Sequence, residues 1–79
     1  MAFYIIIRKI NEDNRFASYQ FAGDGERYGE FSINKKSGDI LLTKKMPGDE
    51  AGHFFNRAAM KVLRAWRQGE LPELAEWAS

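Results

Sequence analysis

The sequence predicts an α+β fold, a four-stranded antiparallel sheet of two hairpins packed on one amphipathic C-terminal helix, in the order ββββα with a short tail. Three observations carry this. Residues 3–45 contain two pairs of runs rich in β-branched and aromatic residues, with polar or glycine-bearing breaks inside and between the pairs. After Pro47-Gly48 the apolar period changes from two to about 3.6. The chain has 79 residues, 44% of them hydrophobic, with a net charge of +1. That is enough for one core and too little for two, so a single domain over 1–79 is expected, with 1–46 as sheet, 49–68 as helix and 70–79 as a packing tail.

The first strand runs from Phe3 to Ile10, and Asn11-Glu12-Asp13-Asn14 separates it from a second, Arg15 to Ala22. A turn centred between Glu12 and Asp13 places Tyr4 opposite Phe21, Ile6 opposite Tyr19 and Arg8 opposite Ala17, and leaves Ile5 and Ile7 beside Gln20 and Ser18. Strand one is then apolar on both faces, as expected of a strand inside a sheet or covered twice. Gly23-Asp24-Gly25-Glu26 reads as a turn, since no helix and no phosphate-binding lysine follows it.

Arg27 to Asn34 and Asp39 to Lys45 flank Lys35-Lys36-Ser37-Gly38. A four-residue loop pairs Asn34 with Asp39, Ile33 with Ile40 and Phe31 with Leu42, which gathers the large apolar residues, apart from Tyr28 and Leu41, on one face. Gly38 is the position where a positive φ is expected.

Asp49 is read as the N-cap of a helix ending near Gln68, with Gly69 at C′. At about 100° per residue, Ala51, Phe55, Ala58, Ala59, Val62, Leu63 and Trp66 share one half of the wheel, while His53, Arg57, Lys61, Arg64 and Arg67 fill the other with Met60. The expected core is Phe31, Ile33, Ile40, Leu42, Phe55, Val62 and Trp66. In the tail, Pro72 suits the start of a short helical turn, and Leu71, Leu74 and Trp77 form a stripe that folds back.

Several function classes are disfavoured by composition. No cysteine is present, so disulfides and thiolate zinc sites are excluded, and a single histidine leaves little for any other metal site. The absence of thiols fits a reducing, cytoplasmic setting. The apolar run Ala2 to Ile7 is far shorter than the roughly 20 residues of a membrane span and lacks the flanks of a signal peptide. His53, with Asp49 one turn before and Arg57 one turn after, has no nucleophile beside it and reads as a surface histidine. No catalytic, cofactor-binding or metal site is expected, and the chain is read as a non-enzyme.

Two surfaces remain. Arg57, Lys61, Arg64 and Arg67 line one helix face, and Lys35 and Lys36 lie in the second loop; together they are candidate nucleic-acid contacts, through phosphate neutralisation. A solvated face with cations favoured by the helix C-terminus explains the same pattern. The doubly apolar first strand needs a second cover, from the tail with Trp77, from a second copy, or from a ligand stacked on its aromatics. Tyr4, Ile6, Tyr19, Met60 and Trp77 are the candidate protein interface. The sequence therefore favours a small binding or regulatory module acting through protein contacts, with a homodimer as one form. The alternative is a nucleic-acid-binding domain using the basic helix face.

Overall fold

The computed structural model describes residues 4–23 and 27–78. The turn expected at 24–26 and the chain ends at 1–3 and 79 lie outside the described residues. Strands β1 (Tyr4–Glu12), β2 (Phe16–Ala22), β3 (Tyr28–Asn34) and β4 (Ile40–Lys44) precede helix α1 (His53–Arg67), and a fifth strand, β5 (Leu74–Ala78), ends the chain. All pairings are antiparallel and the order is β4-β3-β2-β1-β5. The architecture is α+β as expected, with five strands in place of four.

Beside its loop the second hairpin has the register read from the sequence, with Ile33 opposite Ile40 and Phe31 opposite Leu42, and a bulge between Glu30 and Phe31 then sets Lys44 opposite Glu30. Its loop is closed by the Asn34 side chain, which accepts the N–H groups of Lys36 and Ser37, and by Gly38 at φ +81°. Trp66 packs against Gly38, where a Cβ would come within 2.6 Å of the indole, and its Nε1 donates to the Lys35 carbonyl at 2.8 Å. The glycine is thus required twice, by the backbone and by the helix.

The first hairpin differs from expectation. Asp13 Oδ1 accepts the N–H groups of Arg15 and Phe16, both at 2.8 Å, so the chain turns around Asn14-Arg15 rather than Glu12-Asp13. A bulge between Lys9 and Asn11 then shifts the ladder by one residue. Phe21 pairs with Ile7 instead of Tyr4, and Tyr19 with Lys9 instead of Ile6. The slip is odd in number, so every side chain of this part of β1 changes face. Ile5 and Ile7 lie on the helix-covered face with Tyr19 and Phe21, and Tyr4 and Ile6 lie on the other.

The tail corrects a second expectation. Residues 74–78 form a strand beside β1, with Ile5 opposite Trp77 and Arg8 opposite Leu74, and no helical turn follows Pro72. The N–H and C=O groups along the outer edge of β1 need partners, and the alternating residues of β5 supply them. Lys9 N–H donates to the Glu73 carbonyl and the Tyr19 hydroxyl to the Pro72 carbonyl, which fixes the strand's approach.

The helix is shorter at its start than the expected 49–68. Asp49 lies three residues before the N-cap, Gly52, yet its carboxylate accepts the N–H groups of Phe54 and Phe55 at 3.1 Å each. Those are orphan donors of the first turn, so the buried carboxylate performs the capping that its sequence position suggested. At the other end Gly69, φ +84°, donates to Trp66 O, and Glu70 to Ala65 O.

The core lies between α1 and one sheet face. Phe31 and Ile33 are fully buried together with Ile5, Ile7, Tyr19, Phe21, Ala58 and Val62, while the expected core residues Ile40, Leu42, Phe55 and Trp66 pack around them half-buried. Phe31 stacks on Tyr19 with ring centroids 5.7 Å apart and meets Phe21 and Phe55 at about 6 Å. Among the described residues no helix is long and apolar enough to cross a membrane.

Candidate interaction face

One helix covers one face of a sheet. The other face of this sheet is therefore built from the alternate residues of all five strands, and the registers order them in rows. One row across the strands reads Leu74, Arg8, Gln20, Glu30, Lys44 from β5 to β4. The next, toward the N-terminal end of β1, reads Glu76, Ile6, Ala22, Tyr28 from β5 to β3. Ile6 is 36% exposed, Leu74 56% and Leu41, in the row beyond Gln20, 66%, so the face mixes apolar and charged groups open to solvent. Ile6, Arg8, Gln20, Ala22 and Gly23 line a shallow hollow in it of about 270 Å³.

Its charges are partly ordered. The Lys44 ammonium sits over the Tyr28 ring, 3.8 Å from the centroid. The Tyr4 hydroxyl donates to Glu76 Oε1 at 3.0 Å, and this bond, with desolvation second, holds the phenol above its ordinary pKa. Arg8 and Glu30 are two strands apart with Gln20 between them, and neither makes an ion pair among the described residues.

The residues expected to form a protein interface do not share a surface. Tyr4 and Ile6 lie on the open face. Tyr19 is fully buried in the core, and burial pushes its phenol up to about 12. Trp77, opposite Ile5, packs against the helix-side core; its indole N–H is buried and meets no acceptor among the described residues. Met60, 45% exposed, is on the outer side of α1. Tyr19 faces the helix because it pairs with Phe31 across β2–β3, while the bulge moves Tyr4 and Ile6 to the other face and β5 turns Trp77 inward.

The expected nucleic-acid contacts are also divided. Lys35 pairs with Glu12 at 2.6 Å and donates to the Asp13 carbonyl. With Lys9 on its other oxygen, Lys35 holds the Glu12 carboxyl down at about 2. The Arg64 guanidinium lies over Trp77, 5.9 Å from the ring, and Arg57 donates to the His53 carbonyl. Lys36, Lys61 and Arg67 are exposed.

The Asp49 carboxylate is committed to the helix start, and a hollow of about 360 Å³ beside it is floored by Leu42, Met46 and Phe55. Among the described residues no group of three or more His, Asp or Glu side chains is placed to hold a metal ion.

Sequence reasoning missed Arg8, Gln20, Glu30 and Leu74 as residues of one face. The signal was present in the alternation of β2 and β3, Phe16-Ser18-Gln20-Ala22 and Tyr28-Glu30-Ser32-Asn34, which is polar enough to mark a solvated side. Comparison with family models, curated proteins and solved structures gives no match.

Proposed function

We propose that the chain is a small non-catalytic module that works through protein contacts made by the open sheet face, with a second copy of the chain as the occupant argued below. The observation that carries this is the face itself. Five paired strands present Ile6, Tyr4, Leu74 and Leu41 to solvent opposite a sheet side already filled by the helix. Exposed apolar side chains gathered on one uncovered sheet face mark a contact surface. A cytoplasmic setting agrees with the lack of thiols.

The nucleic-acid reading draws on Lys36, Lys61 and Arg67, because Lys35 is held by Glu12 and Arg64 lies on Trp77. It predicts binding to single-stranded RNA that weakens steeply with salt.

A photo-crosslinking side chain placed at Ile6, and separately at Lys61, tests the choice. Protein adducts formed from position 6 and not from position 61 support the proposal. Nucleic-acid adducts from position 61, or no protein adduct from position 6, overturn it.

A further inference from the structure

The charges of the open face alternate in sign across the strands in a way that makes the face complementary to itself. From β5 to β4 the charged positions are Glu76, Arg8, Glu30 and Lys44, acidic, basic, acidic and basic, on either side of an uncharged β2. Reflected across β2, Arg8 falls on Glu30 and Glu30 on Arg8, while Lys44 falls on the uncharged Leu74 of the same row. We propose that the partner of this face is a second copy of the chain, docked sheet on sheet about a two-fold axis that runs along β2. This rests on the reading of the open face as a protein-contact surface and deepens it.

Rotation by 180° about an axis lying in the interface along β2 exchanges β1 with β3 and β5 with β4. Arg8 then meets Glu30 of the second copy, and Glu30 meets Arg8, so the pair is made twice. In the next row Ile6 meets Tyr28. Glu76 falls at the end of β4 where Lys44 leans over Tyr28. On the axis Gln20 meets its own mate, and a carboxamide can both donate and accept there. Ala22, also on the axis, lets the sheets approach. The competing axis, across the strands through the Gln20 row, sets Arg8 on Arg8, Glu30 on Glu30 and Lys44 on Lys44, and like charges facing one another reject it.

The area is adequate for a weak dimer. Five strands about 4.8 Å apart and six residues of about 3.3 Å give a face of roughly 24 by 20 Å. Covering it in both copies removes on the order of 1,000 Å², near the lower limit of specific interfaces. Aligned sheets cross at about 30°, which displaces the outer strands most, so the inner pair Arg8 and Glu30 is the sharpest determinant. Affinity comes from Ile6 and Tyr28, and the Arg8–Glu30 pair chooses the axis.

The experiment is light scattering of the full chain from about 1 μM to about 1 mM, a range suited to an interface of this size. The unsubstituted chain, Arg8→Glu, Glu30→Arg and the double swap are compared, with amide shifts on dilution mapped for the unsubstituted chain. The expected result is a dimer whose dissociation constant rises at least about tenfold in each single variant and returns most of the way in the double swap. Dilution shifts are expected on β1, β2 and β3 open-face positions. A chain monomeric throughout overturns the second copy as partner, while protein adducts from position 6 would still stand for the contact face. A dimer without rescue, or with shifts confined to the outer edge of β5 or to α1, overturns the axis and leaves self-association. Should a variant fail to fold, the dilution map of the unsubstituted chain decides by the same criterion.

Discussion

The two hairpins are built from similar strands and yet differ in how their register is set. In β3–β4 the loop has one glycine, Gly38, at the only position where a positive φ is needed, and the apolar residues on either side agree with the pairing it imposes. In β1–β2 the loop region offers Asn11, Glu12, Asp13 and Asn14, several of which suit a turn, and strand one is apolar on both faces. Neither the turn nor the hydrophobic pattern selects a register there. The choice is made by Asp13, whose carboxylate closes the turn, and by the bulge near Ile10, which turns Ile5 and Ile7 onto the core. A register is legible where loop chemistry and binary pattern have one common solution, and ambiguous where a strand is apolar on both sides.

The largest expected effect breaks this comparison at adjacent residues. Ile7→Asp places an unpaired charge in the fully buried core and costs about 3–5 kcal/mol, close to the whole stability of a domain this size, so the cooperative thermal transition should be lost. Ile6→Asp, one residue away on the open face, should shift stability by no more than about 0.5 kcal/mol when measured at low concentration. Equal damage from the two would mean that the bulge does not set the faces.

Next come the two turn residues. Gly38→Ala forces a side chain into the left-handed region and against Trp66, for an expected loss of about 2 kcal/mol by denaturant unfolding. Asp13→Ala removes two hydrogen bonds in an exposed turn and should lower the unfolding midpoint less than Gly38→Ala does. An Asp13 variant more damaging than the Gly38 variant would reverse the assignment of which loop is the more tightly determined.

The smallest effect is the pH dependence of the first turn. Glu12, lowered from 4.5 to about 2 by Lys35 and then Lys9, contributes stability that is present above pH 4.5 and is lost as pH falls toward 2. Asp13, held low by the N–H groups of Phe16 and Arg15, acts in the same direction. Glu12→Gln should therefore flatten the fall in melting temperature between pH 4.5 and 2. An unchanged slope would show that the carboxylate is not paired in solution.

The candidate face was only half legible for the same reason as its hairpin. Tyr4 and Ile6 were singled out, but they were grouped with Tyr19, which an odd slip places on the opposite side. The basic residues Lys35 and Arg64 were visible as charges, whereas their partners, Glu12 and Trp77, come from distant parts of the chain.

By itself the sequence determined the α+β class, the helix with its terminal Gly69, and the register of the second hairpin beside its loop. Each of these is governed by interactions within a few residues, namely turn dihedrals, end capping and side-chain period. Only the tertiary structure decided that the tail is a fifth strand, that Ile5 and Ile7 face the helix, and that Arg8 and Glu30 share the open face. Edge strands are recruited by unpaired backbone groups far away in sequence, and a one-residue bulge exchanges faces without altering the hydrophobic pattern that a reader can see.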